Sequence, residues 1–132
     1  MYFIDSNVWI AAGSKEDENH IKALRLLKEI YSSGEQIAVS DYVVIEVVNY
    51  LNRKIDFKSA TLALDLLAQN PKVSVLMNDS VSFSQTKEEF KKLSRLSFTD
   101  ANIICLMRKN NIKKLASYEP GFDSVKELQR IE

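Results

Sequence analysis

A single cysteine, Cys105, and a single histidine, His20, are all that the sequence offers of those two residue types. One cysteine closes no internal disulfide, and the pair cannot assemble a Cys/His zinc cage, so any metal held by this chain must be held by oxygen. Long apolar runs are missing as well: residues 8–12 and 103–107 are the longest, at five residues each, against about 20 for a bilayer span. The start runs through Tyr2, Phe3 and Ile4 straight into an acid, with no basic segment and no extended apolar stretch of the secretory kind. A cytoplasmic protein without membrane contact is expected. Net charge is zero, with 18 basic and 18 acidic residues, so total charge does not advertise a nucleic-acid binder. With three Gly and two Pro there is neither a low-complexity linker nor a repeat, and the length suits one domain over residues 1–132.

What is present is a rhythm of short apolar segments alternating with amphipathic ones. Strands are predicted at residues 2–5, 37–39, 73–76, 114–117 and, last, 128–131. Helices are predicted at about 7–12, 17–33, 41–53, 57–69, 79–93 and 99–110, with Gly34 ending the second and Asn70-Pro71 the fourth. Pro120-Gly121 reads as a turn. Strands separated by helices predict an α/β fold: a short parallel sheet of four to five strands with helices on both faces, hence three layers. In such folds sites form beyond the carboxyl ends of the strands.

Acids are delivered to that edge by four segments. Asp5 ends the first strand in Ile4-Asp5-Ser6-Asn7, although an N-cap would also favour Asp there. Glu46 interrupts Val43-Val44-Ile45 and Val47-Val48, in line with Tyr42, Asn49 and Arg53 along one helix face, which is equally the pattern of an ordinary solvated stripe. Asp100 follows Thr99 at a helix start, where the macrodipole alone favours a carboxylate. Glu119 and Asp123 follow the fourth strand, where either could be a plain loop acid. Carboxylates crowded together repel, and they persist only when a cation or protons neutralise them.

Charge distribution adds a second signal: residues 87–114 carry eight basic residues against three acids. A solvated helix face accounts for this; so does a rim that offsets an acidic pocket's repulsion of phosphate. Lys87, Lys91, Lys92 and Arg95, with Arg53 and Lys54, are the candidates for such a rim. Asn7 and Asn49 could hydrogen-bond substrate or water. For Trp9, His20 and Cys105 the expectations are a core aromatic, a helix-surface histidine and a buried helix thiol.

On these residues the whole chain resembles the PIN-domain family, and within it the small VapC-type toxins: an opening Ile4-Asp5-Ser6-Asn7, a helical Glu46 about forty residues on, a Thr99-Asp100 helix start, and a closing Ala116-Ser117-Tyr118-Glu119 followed by Phe122-Asp123. The resemblance implies an endoribonuclease that hydrolyses RNA with Mg²⁺ or Mn²⁺. Asp5, Glu46 and Asp100 would be its metal-site acids, supported by Ser6, Asn7, Thr99 and Ser117. Where relatives commonly carry Asp two residues after the Ser/Thr, this chain has Glu119, so the fourth ligand is Glu119 or, alternatively, Asp123 or a water. The resemblance further implies a VapB-type antitoxin partner and a homodimer. Two other readings stay open: a catalytically silent scaffold of the same fold that binds RNA or protein, and a receiver-type phosphoacceptor. The latter needs an acidic pair after the first strand and a lysine at a late strand end, where this chain has one acid and Ser117.

Overall fold

The structure, a computed structural model, describes residues 1–132. Strand β1 (Tyr2–Ile4) leads into α1 (Ser6–Gly13) and α2 (His20–Ser32), and β2 (Ile37–Ser40) into α3 (Asp41–Lys54) and α4 (Phe57–Ala68). Strand β3 (Val73–Leu76) is followed by α5 (Ser80–Phe90) and α6 (Phe98–Lys109). Strand β4 (Lys114–Ala116), a 3-10 turn at Pro120–Ser124 and β5 (Gln129–Ile131) complete the chain.

Local chemistry sets most of these boundaries. Ser40, Asp56 and Asp79 each accept from a backbone N–H of the first turn that follows, which stops the preceding segment and starts α3, α4 and α5. Gly34 takes φ +76, a left-handed conformation that costs a glycine little, and so releases the chain from α2 toward β2. Two helices are shorter than predicted. Residues 17–19 form a turn in which Asp17 accepts from the Asn19 N–H at 2.8 Å, so α2 starts at His20. Residues 91–93 turn toward α6, so α5 stops at Phe90. The predicted Pro120-Gly121 turn is a 3-10 turn with proline in its first position, where no N–H is required.

All five strands run parallel in the order β3-β2-β1-β4-β5. Right-handed crossovers place α1–α4 on one face and, because the chain then steps back across the sheet to β4, α5 and α6 on the other. The helix contacts agree: α1 packs on α2 and α3, α3 on α4, and α5 on α6. The expected three-layer α/β architecture is what the chain adopts. The sheet centre supplies the core: Phe3 and Ile4 of β1, Ile37, Ala38 and Val39 of β2, and Leu115 and Ala116 of β4 are fully buried. Trp9 is a core aromatic as expected. His20 is half-buried, its Nδ1 donating to the Ala11 carbonyl at 2.8 Å, and Cys105 is half-buried too, so neither matches its sequence expectation in full.

The consequential feature is the reversal of strand order. The chain grows outward from β1 through β2 to β3, then returns to add β4 on the other side of β1. A crevice therefore opens beyond the carboxyl ends of β1 and β4.

Candidate active site

Register decides what meets in that crevice. Ile4 pairs with Ala116, so the residues that follow, Asp5 and Ser117, emerge side by side. The Asp5 N–H donates to the Ala116 carbonyl at 3.0 Å. Asp5 is 3% exposed. Its Oδ1 accepts from the Ser6 N–H at 2.7 Å and, more weakly, from Ser6 Oγ at 3.4 Å; its Oδ2 accepts from Ser117 Oγ at 2.7 Å. Asn7 ties the two strand ends together, donating from Nδ2 to Ser117 Oγ at 3.3 Å while its Oδ1 accepts from the Tyr118 N–H at 3.2 Å. Asp5 is thus the N-cap of α1 and at the same time a carboxylate on the floor of a crevice.

Its electrostatics are those of a charge without a counter-charge. No basic side chain reaches Asp5. Burial pushes its carboxyl up from 3.8 to about 6; the bonds from Ser117 and Ser6 oppose that, and the negative charges of Asp100 and Glu46 add to it. Asp100, half-buried at the start of α6, is likewise raised by burial and by the charge of Glu119, against the lowering effect of its bonds from Ser97. The charges of Asp100 and Glu46 thus reach Asp5, and that of Glu119 reaches Asp100.

The local fold constrains how far they have closed. Ser97 and Asp100 form a reciprocal capping box: Ser97 Oγ accepts from the Asp100 N–H at 3.1 Å, and Asp100 Oδ2 accepts from the Ser97 N–H at 2.9 Å. Ser97, and not Thr99, is thus the residue that orients Asp100. Its sequence signal was the Ser97-Phe98-Thr99-Asp100 spacing, which matches a capping box. Glu119 Oε1 accepts from the Gly121 N–H at 2.8 Å, and the Glu119 N–H donates to Ser117 Oγ at 3.0 Å. A side chain at Gly121 would approach Leu96 to 2.7 Å and Glu119 to 3.0 Å, so glycine there keeps the Glu119 arm in place. Glu46 stands exposed on α3 with Asn49 beside it. No three of the acids converge to ligating distance of one point.

Asp123 is paired within the chain. Arg130 grips it with two bonds, Nε to Oδ1 at 2.7 Å and Nη2 to Oδ2 at 3.0 Å, and holds its carboxyl below the usual range. With both oxygens bonded to Arg130, Asp123 clamps the 3-10 turn to β5. Of the basic candidates, Lys91 pairs with Glu88 at 3.3 Å on the open surface. Lys92 and Arg95 line a groove of about 270 Å³ together with Leu96, Pro120 and Gly121, next to the Glu119 arm. Arg53 and Lys54 are exposed at the end of α3. Lys87 lies over the Phe83 ring at 5.8 Å. A larger groove of about 650 Å³ lies between α5 and α6, lined by Cys105 and Arg108 among others, and none of the four acids borders it.

The donor set is all oxygen, with a buried carboxylate at its centre, neighbouring acids raising its affinity for positive charge, and second oxygens on Asp100 and Glu119 that make no bond within the chain. That chemistry fits a small divalent cation. Receiver-type phosphoacceptor chemistry is not supported, because the group beside Asp5 at the β4 end is the Ser117 hydroxyl and not a lysine.

Comparison with known proteins gives four findings. The PIN domain family matches residues 2–128. The 23S rRNA-specific endonuclease VapC20 of Mycobacterium tuberculosis is 26% identical over 129 residues, covering 94% of this chain and 93% of that protein. Its crystal structure, described as a sarcin-ricin loop cleaving toxin, superposes with a TM-score of 0.84 at 24% identity over 95% of both chains. VapBC-1 from nontypeable Haemophilus influenzae superposes with a TM-score of 0.70 at 16% identity, covering 99% of this chain and 96% of that one. No helix of the chain is long and apolar enough to cross a membrane.

Proposed function

This chain belongs to the PIN-domain family, and from that premise we propose that it is a metal-dependent endoribonuclease, the toxin of a VapBC-type toxin-antitoxin pair. The observation that carries the reading is the uncompensated Asp5, buried at the β1–β4 crevice within the fields of Asp100 and Glu46. A fold does not bury a charge without a partner cheaply. A bound cation supplies that partner.

The ligands assigned to Mg²⁺ or Mn²⁺ are Asp5, Asp100, Glu46 and Glu119. When bound, the cation supplies a Lewis acid for the phosphodiester and lowers the pKa of the attacking water. Ser6 and Ser117 hold the Asp5 carboxylate in one orientation, and Ser97 does the same for Asp100, with Thr99 alongside in the first turn. Asn7 braces β1 against β4 and keeps the crevice at fixed width. Asn49, one turn beyond Glu46, has a free amide that can bind a phosphate oxygen or water. Lys92 and Arg95 on the Glu119 side, Arg53 and Lys54 along α3, and Lys87 and Lys91 on α5 lower the cost of bringing a polyanion to an acidic pocket. Water adds to phosphorus, the bond to the leaving ribose oxygen breaks, and that oxygen takes up a proton.

Relatives extend the reading to partners. VapC20 is named for 23S rRNA, and its structure for the sarcin-ricin loop; a solved toxin-antitoxin complex from Klebsiella pneumoniae shares the fold. A structured RNA substrate, a VapB-type antitoxin and a homodimer are proposed accordingly. Purified protein incubated with ribosomal RNA should give discrete cuts with Mg²⁺ or Mn²⁺ and none with EDTA or as Asp5→Asn. Cleavage that persists in EDTA would refute the metal mechanism, and intact RNA under every condition would favour a silent scaffold.

A further inference from the structure

The helices that carry Glu46 and Asp100 belong to different layers: α3 packs on α1 and α4, and α6 on α5. They must nevertheless keep a fixed spacing if both acids are to serve one cation. Side chains at the carboxyl edge of the sheet tie them together. Asn78, just after β3, donates from its backbone N–H to Asp41 Oδ2 at 3.1 Å and from Nδ2 to Asp41 Oδ1 at 2.5 Å, which joins it to the first residue of α3. Its amide also meets that of Asn102 on α6. Asn102 Nδ2 donates to Asn78 Oδ1 at 2.6 Å, and Asn78 Nδ2 donates to Asn102 Oδ1 at 3.2 Å. Asn102 Nδ2 donates as well to Thr86 Oγ1 of α5 at 2.9 Å, and that hydroxyl donates to the Ser82 carbonyl at 2.8 Å. Both polar atoms of the fully buried Asn102 side chain are thereby paired.

A buried amide forfeits hydration that an apolar side chain does not need. Asn102 stands between Ala101 and Ile103, both fully buried, where a leucine, branched at the same carbon, would bury apolar surface instead. What leucine lacks is direction: apolar contact tolerates sliding, whereas a hydrogen bond fixes distance and angle. The Tyr42 and Phe98 rings, which also link α3 to α6 at 6.5 Å, make a contact of the tolerant kind. A satisfied buried amide selects one arrangement of the helices around it. Asn102 follows Asp100 by two residues, about 200° round the helix, so its bonds anchor the back of the first turn whose front presents the acid. Resting on the metal-dependent ribonuclease reading above, we propose that the Asn78–Asn102 amide pair is a positioning device for the cation site: it fixes Asp100 on α6 relative to Glu46 on α3 without itself touching cation or RNA.

The test measures Mn²⁺ affinity by calorimetry, and kcat and KM on an RNA that wild type cuts, all in the full chain. Asn102→Leu should keep its melting temperature in EDTA, yet bind Mn²⁺ about ten-fold more weakly and cut with kcat about ten-fold lower and KM little changed, as for residues that orient metal ligands from behind. Asn78→Ala should lose Mn²⁺ affinity similarly, and the double variant no further, because each amide acts through the other. Ile30→Ala, a cavity in the core beneath α2, should melt lower with Mn²⁺ affinity unchanged. Wild-type Mn²⁺ affinity in Asn102→Leu or, should that variant not fold, in Asn78→Ala overturns the proposal, as do losses that multiply in the double variant. Weak binding that recovers at high protein concentration overturns it as well, since the pair then acts through assembly of copies. Should wild type bind Mn²⁺ and cut RNA with both variants unimpaired, the amide pair alone fails; should wild type do neither, the ribonuclease reading fails with it.

Discussion

Replacing Asp5 by asparagine tests the carboxylate cluster through stability as well as activity. The native fold raises the Asp5 carboxyl from 3.8 to about 6, so between those values the folded protein holds a proton that the unfolded chain has released. Stability then falls as pH rises through that window, and above it the charged group costs about 3 kcal/mol in the metal-free protein. Asparagine removes the charge. It caps a helix as well as aspartate does, and its Oδ1 can keep the bond from the Ser6 N–H. What it gives up is the acceptor for the Ser117 hydroxyl, worth about 1 kcal/mol. The balance favours the variant by about 2 kcal/mol at pH 7.5, or roughly 5–10 °C in Tm for a domain of this size. Circular dichroism melts in EDTA read this directly: Asp5→Asn should melt above wild type at pH 7.5, and the gap should close toward pH 4.5 as wild-type Asp5 protonates. Added Mn²⁺ should raise the wild-type Tm by mass action and the variant's much less. A variant that melts below wild type in EDTA at pH 7.5, with an undiminished Mn²⁺ shift, would show that Asp5 is a structural cap and that the acids are not a cation site.

Asp100→Asn should abolish cleavage measured on labelled RNA, whereas Ser97→Ala, which loosens the capping box but keeps the acid, should reduce kcat while costing about 1 kcal/mol in urea unfolding. Glu119→Gln should impair cleavage far more than Asp123→Asn; the latter breaks the clamp with Arg130 and should lower Tm slightly with activity kept, and the reverse ranking would return Asp123 to the site. Ser117→Ala removes a bond that lowers the Asp5 carboxyl, so the acid limb of the pH–rate profile should move to higher pH; an unmoved limb would separate Asp5 from the rate-determining ionisation.

The α/β class and nearly every element could be read from the chain because each rests on local chemistry: the alternation of apolar strands with amphipathic helices, Gly34 at a left-handed turn, and caps such as Ser40 and Asp79. The two misjudged helix ends, at residues 17–19 and 91–93, are places where a side-chain bond or the approach to the next helix outweighed helical spacing. Asp5, Glu46 and Asp100 could be singled out from strand ends, an interrupted apolar helix face and a helix start. Their mutual influence could not, since it depends on β4 returning to pair with β1 and bringing Ser117 against Asp5. The difference between Glu119 and Asp123 was equally beyond reach: both follow the same strand, and only the arrival of Arg130 from β5 pairs Asp123 with a cation. Likewise the rings of Tyr42, Phe83 and Phe90 meet that of Phe98 only because α3, α5 and α6 pack together. The sequence determined which side chains carry charge, caps and rings, because those are properties of single residues and their near neighbours; the tertiary structure alone decided which of them share a crevice, because pairing between distant strands sets the distances over which carboxylates repel, hydroxyls bond and rings stack.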